Sequence, residues 1–364
     1  MEDALFLYWL GNLKGIGLRK EKLLLKQWKS PEKIYHAGKD ELESIKGIGT
    51  KEVQTILSSR DKEVYRKQLE KLRQKKIRYI SYFDENYPEK LRQIPKPPKH
   101  LYGKGELPDP AKVTISIVGA RDCTCYGRDM ARMFGYRLAK AGVQIVSGMA
   151  KGIDGWAHQG ALEGGGKTFA VLGCGVEVCY PPVHRRLYDS IVRQGGILSE
   201  FAPYTGAKPA FFPMRNRIIS GLADGILIVE AREKSGSLIS ADAALEQGKD
   251  VFVIPGRIGD ELSVGCNRLI CQGAIPVLSP GDILNYYGVE EYRNNIEETL
   301  SGEEKNILSV LGTKPLHTVQ IAAAVKLQET TVFKRLLGLK EKKLVREISR
   351  SYFVRVVHEK FKEN

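Results

Sequence analysis

The sequence predicts an α/β chain whose middle, residues 111–288, forms a doubly wound, mostly parallel sheet, with a helical segment before it and a small helix-and-hairpin unit after it. Three observations carry this expectation. Apolar runs of strand length alternate with helical stretches through the middle. A Lys-Gly-Ile-Gly segment occurs twice near the start, each copy ahead of a helical stretch. Three short helical stretches followed by two β-rich runs close the chain.

A length of 364 residues suffices for two or three domains with a core that needs no staples. No apolar run approaches the roughly 18 residues of a membrane span. The start, Met1 to Leu10, contains Glu2 and Asp3 and lacks a basic n-region, so the expected location is cytoplasmic, with no membrane partner. The six cysteines (Cys123, Cys125, Cys174, Cys179, Cys266, Cys271) form no C-x-x-C pair. They read as buried or semi-buried free thiols; no metal and no cofactor is expected. Of the net charge of +14, residues 1–112 hold +9, which supports a polyanionic partner, although a basic balance also serves solubility.

The first expected domain covers 1–110. Leu13 to Gly17 and Ile45 to Gly49 repeat 32 positions apart, ahead of the helical stretches Leu18 to Trp28 and Thr50 to Leu57. Two glycines around one apolar residue allow a hairpin that turns its N–H groups outward at a helix start, where a backbone phosphate can sit. This resembles a helix-hairpin-helix unit. Gly15, Gly17, Gly47 and Gly49 are therefore accessory DNA-contact candidates, against the reading that each glycine only ends a helix. Asp61 to Arg78 follows as a Lys/Arg-rich helix with Val64, Leu69 and Leu72 as its apolar face, then a strand at Tyr79 to Phe83. A Pro-rich connection runs to a boundary near 110.

In the central domain, 111–288, four strands end in small residues. Thr114 to Val118 breaks at Gly119-Ala120-Arg121 before a helical run from Tyr126 to Ala141. Val143 to Ser147 ends at Gly148, Phe169 to Leu172 at Gly173-Cys174-Gly175, and Ile226 to Glu230 leads to Ser235-Gly236-Ser237. Parallel strands would align these ends as one rim, a candidate phosphate groove. A helix from Ser237 to Gln247, strands at Val251 to Ile254 and Ile275 to Leu278, and a helix near Arg268 complete the pattern. A linker is expected at 289–302. In the last domain, 303–364, helices at Ile307 to Leu311, Val319 to Val325 and Thr330 to Lys340 with a hairpin at Leu344 to Ile348 and Tyr352 to Val356 read as a winged helix, which serves DNA or protein contact equally.

The rim lacks the marks of a nucleotide enzyme. After Gly119 no second glycine comes until Gly127, so the dinucleotide fingerprint is missing, and Gly164 to Thr168 has no strand before it and is no phosphate-binding loop. Nucleoside-phosphate-cleaving enzymes of a related Rossmann frame carry a Glu where this chain has Ser240. A nucleotide-binding or nucleoside-phosphate-hydrolysing enzyme stays the alternative. Asp154, Glu200 and Glu230 are single carboxylates, and neither His158 nor His184 has a nucleophile beside it, so no catalytic residue is assigned. What remains is a set of phosphate-seeking groups: Arg121, Lys151, Arg185, Arg186, Lys208, Arg215 and Arg217, with Asn216, Ser235, Ser237 and the backbone at Gly119, Ser147, Gly148 and Gly236. Phe211, Phe212 and Tyr180 lie beside them. Cations that grip a backbone and aromatic faces that stack bases suit a single strand. Arg215 and Arg217 have a competing role, bracing loops through carboxylates such as Glu200 and Glu230.

These residues resemble the DNA-processing protein A (DprA/Smf) family. The matching segments are Ile117 to Arg121, Ser147 to Asp154 with Ala157-His158, Tyr180-Pro181, Ser199-Glu200, Phe212 to Leu222, Val229 to Ala231, Ser235 to Ile239, and Pro255-Gly256 through Ala274. The resemblance implies an extended Rossmann-like domain that binds single-stranded DNA, forms a homodimer, helps load RecA during natural transformation and has no catalytic turnover. It places strand contacts on Arg121, Lys208, Phe211 and Arg215 to Arg217. It also points to the region of Leu269, Ile270 and Ile275 for the dimer. His184 stands where the family often has Asn.

Overall fold

The structure, a computed structural model, describes residues 2–290, 300–312, 314–342 and 344–355. Most of the expected linker and Val356 of the expected hairpin lie outside these residues. The chain separates into two compact units, dividing between Glu291 and Tyr292.

The larger unit begins with helices α1 (Glu2–Gly11), α2 (Leu18–Trp28), α3 (Pro31–His36), α4 (Lys39–Glu43), α5 (Thr50–Ser58) and α6 (Lys62–Gln74). Trp9, Leu10, Ile16, Leu24, Ile34, Leu42, Val53 and Ile56 close a small core of their own. The repeat folds as a repeat. Gly15 (φ +76°) and Gly47 (φ +102°) adopt the left-handed backbone that L side chains avoid, and Gly17 and Gly49 cap α2 and α5. On α6 the expected apolar face is shifted. Val64 is 44% exposed, while Tyr65, Leu69 and Leu72 pack inward, because α6 meets the aromatic residues Tyr8 and Tyr79 rather than a generic apolar surface.

The sheet continues with β1 (Arg78–Ser81), α7 (Glu89–Arg92), β2 (His100–Gly105), β3 (Thr114–Val118), α8 (Cys125–Lys140), β4 (Gln144–Ser147), α9 (Ile153–Glu163) and β5 (Thr168–Val171). Then come α10 (Arg185–Gln194), β6 (Gly196–Ser199), α11 (Phe211–Leu222), β7 (Gly225–Ile228), α12 (Gly236–Glu246), β8 (Asp250–Val253), α13 (Val264–Cys271), β9 (Ile275–Pro276) and α14 (Pro280–Tyr286). The strand order is β1-β2-β6-β5-β4-β3-β7-β8-β9. The seven strands from β6 to β9 in that order run parallel, and β1 and β2 extend the β6 edge in antiparallel pairing. The mostly parallel, doubly wound sheet is thus present. Strands β1 and β2, however, precede the boundary expected at 110 and belong to this sheet. β2 lies inside the Pro-rich connection, and its strand character comes from pairing with Ile197 and Leu198 far along the chain, which no local pattern reports.

Strand β3 shows why the sheet is covered on both sides. Ile115 and Ile117 face a layer with Phe134, Leu138, Ala157 and Ala161 of α8 and α9, whereas Val118 faces Ile218, Ile219 and Leu222 of α11. Ser116 is buried on that second side and donates to the Ile219 carbonyl at 2.8 Å. Consecutive strands change direction of progression at β3 and β7, so the carboxyl ends of these two neighbours mark the crevice where doubly wound sheets bind ligands.

The smaller unit contains α15 (Gly302–Val310), β10 (Leu316–His317), α16 (Thr318–Val325), α17 (Glu329–Glu341), β11 (Val345–Ser349) and β12 (Tyr352–Arg355), with a three-stranded sheet in the order β10-β12-β11. Ile307, Ile321, Val332, Leu336 and Phe353 form its core. Three helices and a hairpin match the winged-helix expectation.

Candidate nucleic-acid interface

At the crevice between β3 and β7 the amides are already occupied. Glu230, at the end of β7 and nearly buried, accepts from the Thr124 amide at 2.9 Å and the Thr124 hydroxyl at 2.5 Å, at the N-terminus of α8. A carboxylate of the chain itself sits where a nucleotide phosphate would meet the helix. The next turn is closed in the same manner. Asp154, in the first turn of α9, accepts from the Gly148 amide at 3.1 Å and the Ala150 amide at 3.4 Å. Two of the loop ends expected to offer bare backbone to an anion are thereby spoken for.

Behind the second turn lies Arg215, 4% exposed. Its guanidinium donates to the Gly148 carbonyl at 2.8 Å and to the Val171 carbonyl. A Cβ on Gly148 would stand 2.6 Å from the Arg215 guanidinium and 2.7 Å from the Asp154 carboxylate, so only glycine fits between them. Burial pushes the Arg215 pKa down to about 10, with Asp154 opposing, and burial raises Asp154 against the pull of Arg215. His158, fully buried, contacts the Thr168 hydroxyl at 2.6 Å. Burial first, then the charges of His184 and Arg215, lowers its pKa to about 3. This is an inner polar layer, sealed from solvent.

An outer layer stands in front of it. The Phe212 ring is shared by Arg121, whose guanidinium carbon lies 5.2 Å from the ring centre, and Arg215 at 5.9 Å on the inner side. Tyr180, 43% exposed, tilts against Phe212 with centroids 5.6 Å apart. Arg121 is exposed and makes no ion pair with any described residue, and the same holds for Lys151, Arg186 and Lys208. The result is a half-buried aromatic face with a free cation over it, the arrangement that stacks a base and grips the neighbouring phosphate.

The other candidates separate by position. Phe211 stacks on Phe201 at 4.2 Å with Lys208 5.6 Å from its ring, a second aromatic–cation pair. Arg217 is fully engaged. It forms a two-pronged pair with Glu200 at 2.9 and 2.6 Å and donates to the carbonyls of Lys96 and Met214. Bracing through Glu200 is its observed role, and Arg215 braces through carbonyls rather than through Glu230. Ser147 is buried with its hydroxyl on the Ile117 carbonyl at 2.6 Å, and Ser237 is buried with its hydroxyl 2.7 Å from that of Ser235, the cap of α12. Arg215, Ser147 and Ser237 therefore point into the protein and not onto the rim. Asn216 ties α11 to the Gly236 carbonyl at 3.3 Å, with Gly236 itself exposed. Arg185 pairs with Asp189 at 3.3 Å on the surface of α10, and Arg186 lines a groove with Gln159 and Arg193.

The remaining candidates stand as follows in the structure. Cys125 and Cys271 are exposed rather than buried or semi-buried. Leu269 is core and holds α13 to its own sheet, with Ile270 partly buried beside it, whereas Ile275 is partly buried against the core on the other side of the sheet. Phe212 and Phe211, adjacent on a helix, diverge by about 100°, and it is Phe212 that Arg121 reaches. A Phe-Phe pair opening a helix carried that signal, but choosing the member required the fold. Phe201, under Phe211, gave none.

Residues 78–288 match the family model described as DNA recombination-mediator protein A, and residues 10–62 match the SAM-like helix-hairpin-helix tandem. The chain is 37% identical over 298 residues to protein Smf of Synechocystis sp., covering 79% of this chain and 73% of that protein. It is similar to the X-ray structure of DNA processing protein A from Streptococcus pneumoniae, with 34% identity, TM-score 0.67, and coverage of 80% of this chain and 99% of that one. A structure of DNA processing protein A from Helicobacter pylori, described for its unique single-stranded DNA binding mode, matches at 30% identity and TM-score 0.53, covering 59% of this chain and 98% of that one.

Proposed function

Because the chain belongs to the DNA recombination-mediator protein A family, we propose that it binds single-stranded DNA along the rim at the carboxyl ends of β3, β4 and β5. In this reading it is a recombination mediator in DNA processing that works in the cytoplasm, protects an incoming strand and helps load RecA during natural transformation. It acts as a homodimer without catalytic turnover. One observation carries the reading: the Phe212 face held between Tyr180 and Arg121, which pairs with no acid among the described residues. Arg121 takes a phosphate, Phe212 and Tyr180 receive a base, Lys151 and Lys208 extend the cationic edge, and Phe211 with Lys208 offers a second stacking position. Glu230 and Asp154 fill the amide sites that a nucleotide would need, which supports a strand over a mononucleotide.

The test is anisotropy of labelled oligothymidine against a duplex of equal length across a salt series. Single strands are expected to bind more tightly, with log affinity falling by about 0.7 per phosphate neutralised for each tenfold rise in salt. Arg121→Ala binding as tightly as the parent at moderate salt would remove this site. Release of base or phosphate from a nucleoside monophosphate would instead favour the enzyme alternative.

A further inference from the structure

A second groove, about 500 Å³, opens between α2 and the segment 95–97, lined by Leu18, Arg19, Lys22, Lys26, Pro95 and Lys96 among others. Four of its lining residues are exposed cations, and no carboxylate lines it. The acid of α2 and the acid of α5 that reaches α2 are both engaged elsewhere. Glu21, the one acid of α2, is 1% exposed and pairs with Lys99 at 3.2 Å, while Glu52 pairs with Lys20 at 2.5 Å. Lys22 is held by a neutral partner, the Tyr82 hydroxyl at 2.9 Å, with its ammonium 4.2 Å from the Tyr82 ring. No carboxylate among the lining residues therefore offsets the cations of the groove.

The two hairpins of the repeat are unequal in the same sense. At α5 the Glu52 carboxylate accepts from the Gly49 amide at 2.9 Å and fills the helix start. At α2 the matching position is Lys20, and the N-cap Gly17 receives no side chain. The groove lies on the α2 side.

It also adjoins the rim. Arg217 is six positions after Phe211 on α11, about 9 Å along the axis, and its Nε donates at 2.9 Å to the carbonyl of Lys96 in the groove wall. We propose that this groove carries a second stretch of the phosphodiester backbone of the strand held at the rim, an inference that rests on the single-strand reading above. Arg19, Lys22, Lys26 and Lys96 each face a phosphate, and Arg217 with Glu200 forms the bridge between the two contact areas. The groove makes no base contact, so it lengthens the footprint without adding sequence preference.

The experiment uses the full chain and the triple variant Arg19→Ala/Lys22→Ala/Lys26→Ala, with Arg121→Ala beside it. All three substituted positions are partly or fully exposed on a helix, where alanine is well tolerated. Binding is measured to oligothymidines of about six and about 25 nucleotides, the shorter near the lower end and the longer beyond the upper end of the roughly 4–16 nucleotides that one single-strand site takes up. The triple variant is expected to bind the long strand about tenfold or more weakly, with a salt slope lower by up to about 2, and the short strand within about twofold of the parent. Arg121→Ala is expected to weaken both. Equal binding of parent and triple variant at both lengths overturns the groove and leaves the rim intact. A parent that binds neither length removes the rim reading and the groove with it.

Discussion

Arg121 and Arg215 share one phenylalanine ring, 5.2 and 5.9 Å from its centre, and have opposite employment. Arg215 is buried with carbonyl acceptors on two strand ends, whereas Arg121 is exposed with no ion pair among the described residues. The pair teaches that residue type at a rim does not decide role. A guanidinium that has lost water must have every proton placed by the protein, so it becomes part of the scaffold. One that has kept its water can exchange it for a phosphate.

The strongest way to break this contrast is Arg215→Ala. It leaves the Gly148 and Val171 carbonyls without their donor and removes the buried positive charge near Asp154, and a loss of about 3–5 kcal/mol is expected, read as a lower denaturation midpoint. If the midpoint stays and only strand affinity falls, the inner layer has been misassigned. The same layer predicts an acid response. His158 has a folded pKa of about 3, below its ordinary 6.5. Its contribution is therefore present above pH 6.5 and lost as pH falls toward 3, by about 1.4 kcal/mol per unit once the unfolded form is protonated. At pH 5 that amounts to about 2 kcal/mol, and His158→Gln should flatten this part of the stability curve. An unchanged curve would assign the acid response to other groups.

On the outer side the effects should appear in binding. Phe212→Ala is expected to cost about 1–3 kcal/mol of single-strand affinity through lost stacking, measured at constant salt. Arg121→Ala should cost about 1.5 kcal/mol, near tenfold, lower the salt slope by about 0.7 and leave the midpoint unchanged. A midpoint shift as large as that of Arg215→Ala would erase the distinction between the two arginines. The smallest effect is expected at Arg217, where Arg217→Lys keeps the charge but loses the two-pronged grip on Glu200. Binding at the rim should change by less than about threefold, since the pair braces rather than contacts. A loss comparable to Arg121→Ala would make Arg217 a strand contact.

Much of this molecule was legible in its residues. The alternation of strand and helix over 114–278, the paired Gly-x-Gly hairpins and the closing helices with their hairpin are patterns of local period, and local sterics and amphipathicity suffice to produce them. Arg121 was legible for the same reason, as a cation two positions after a strand-ending glycine. The tertiary structure alone decided which charges remained free. Glu230 reaches Thr124 across 106 positions, and Arg215 reaches Gly148 across 67. It likewise made β2 a strand by pairing it with β6, and set Phe212 rather than Phe211 under Arg121. Each of these depends on groups distant in sequence whose meeting is fixed only by how the sheet is wound, because desolvation and hydrogen-bond satisfaction are properties of the assembled interior and not of any segment.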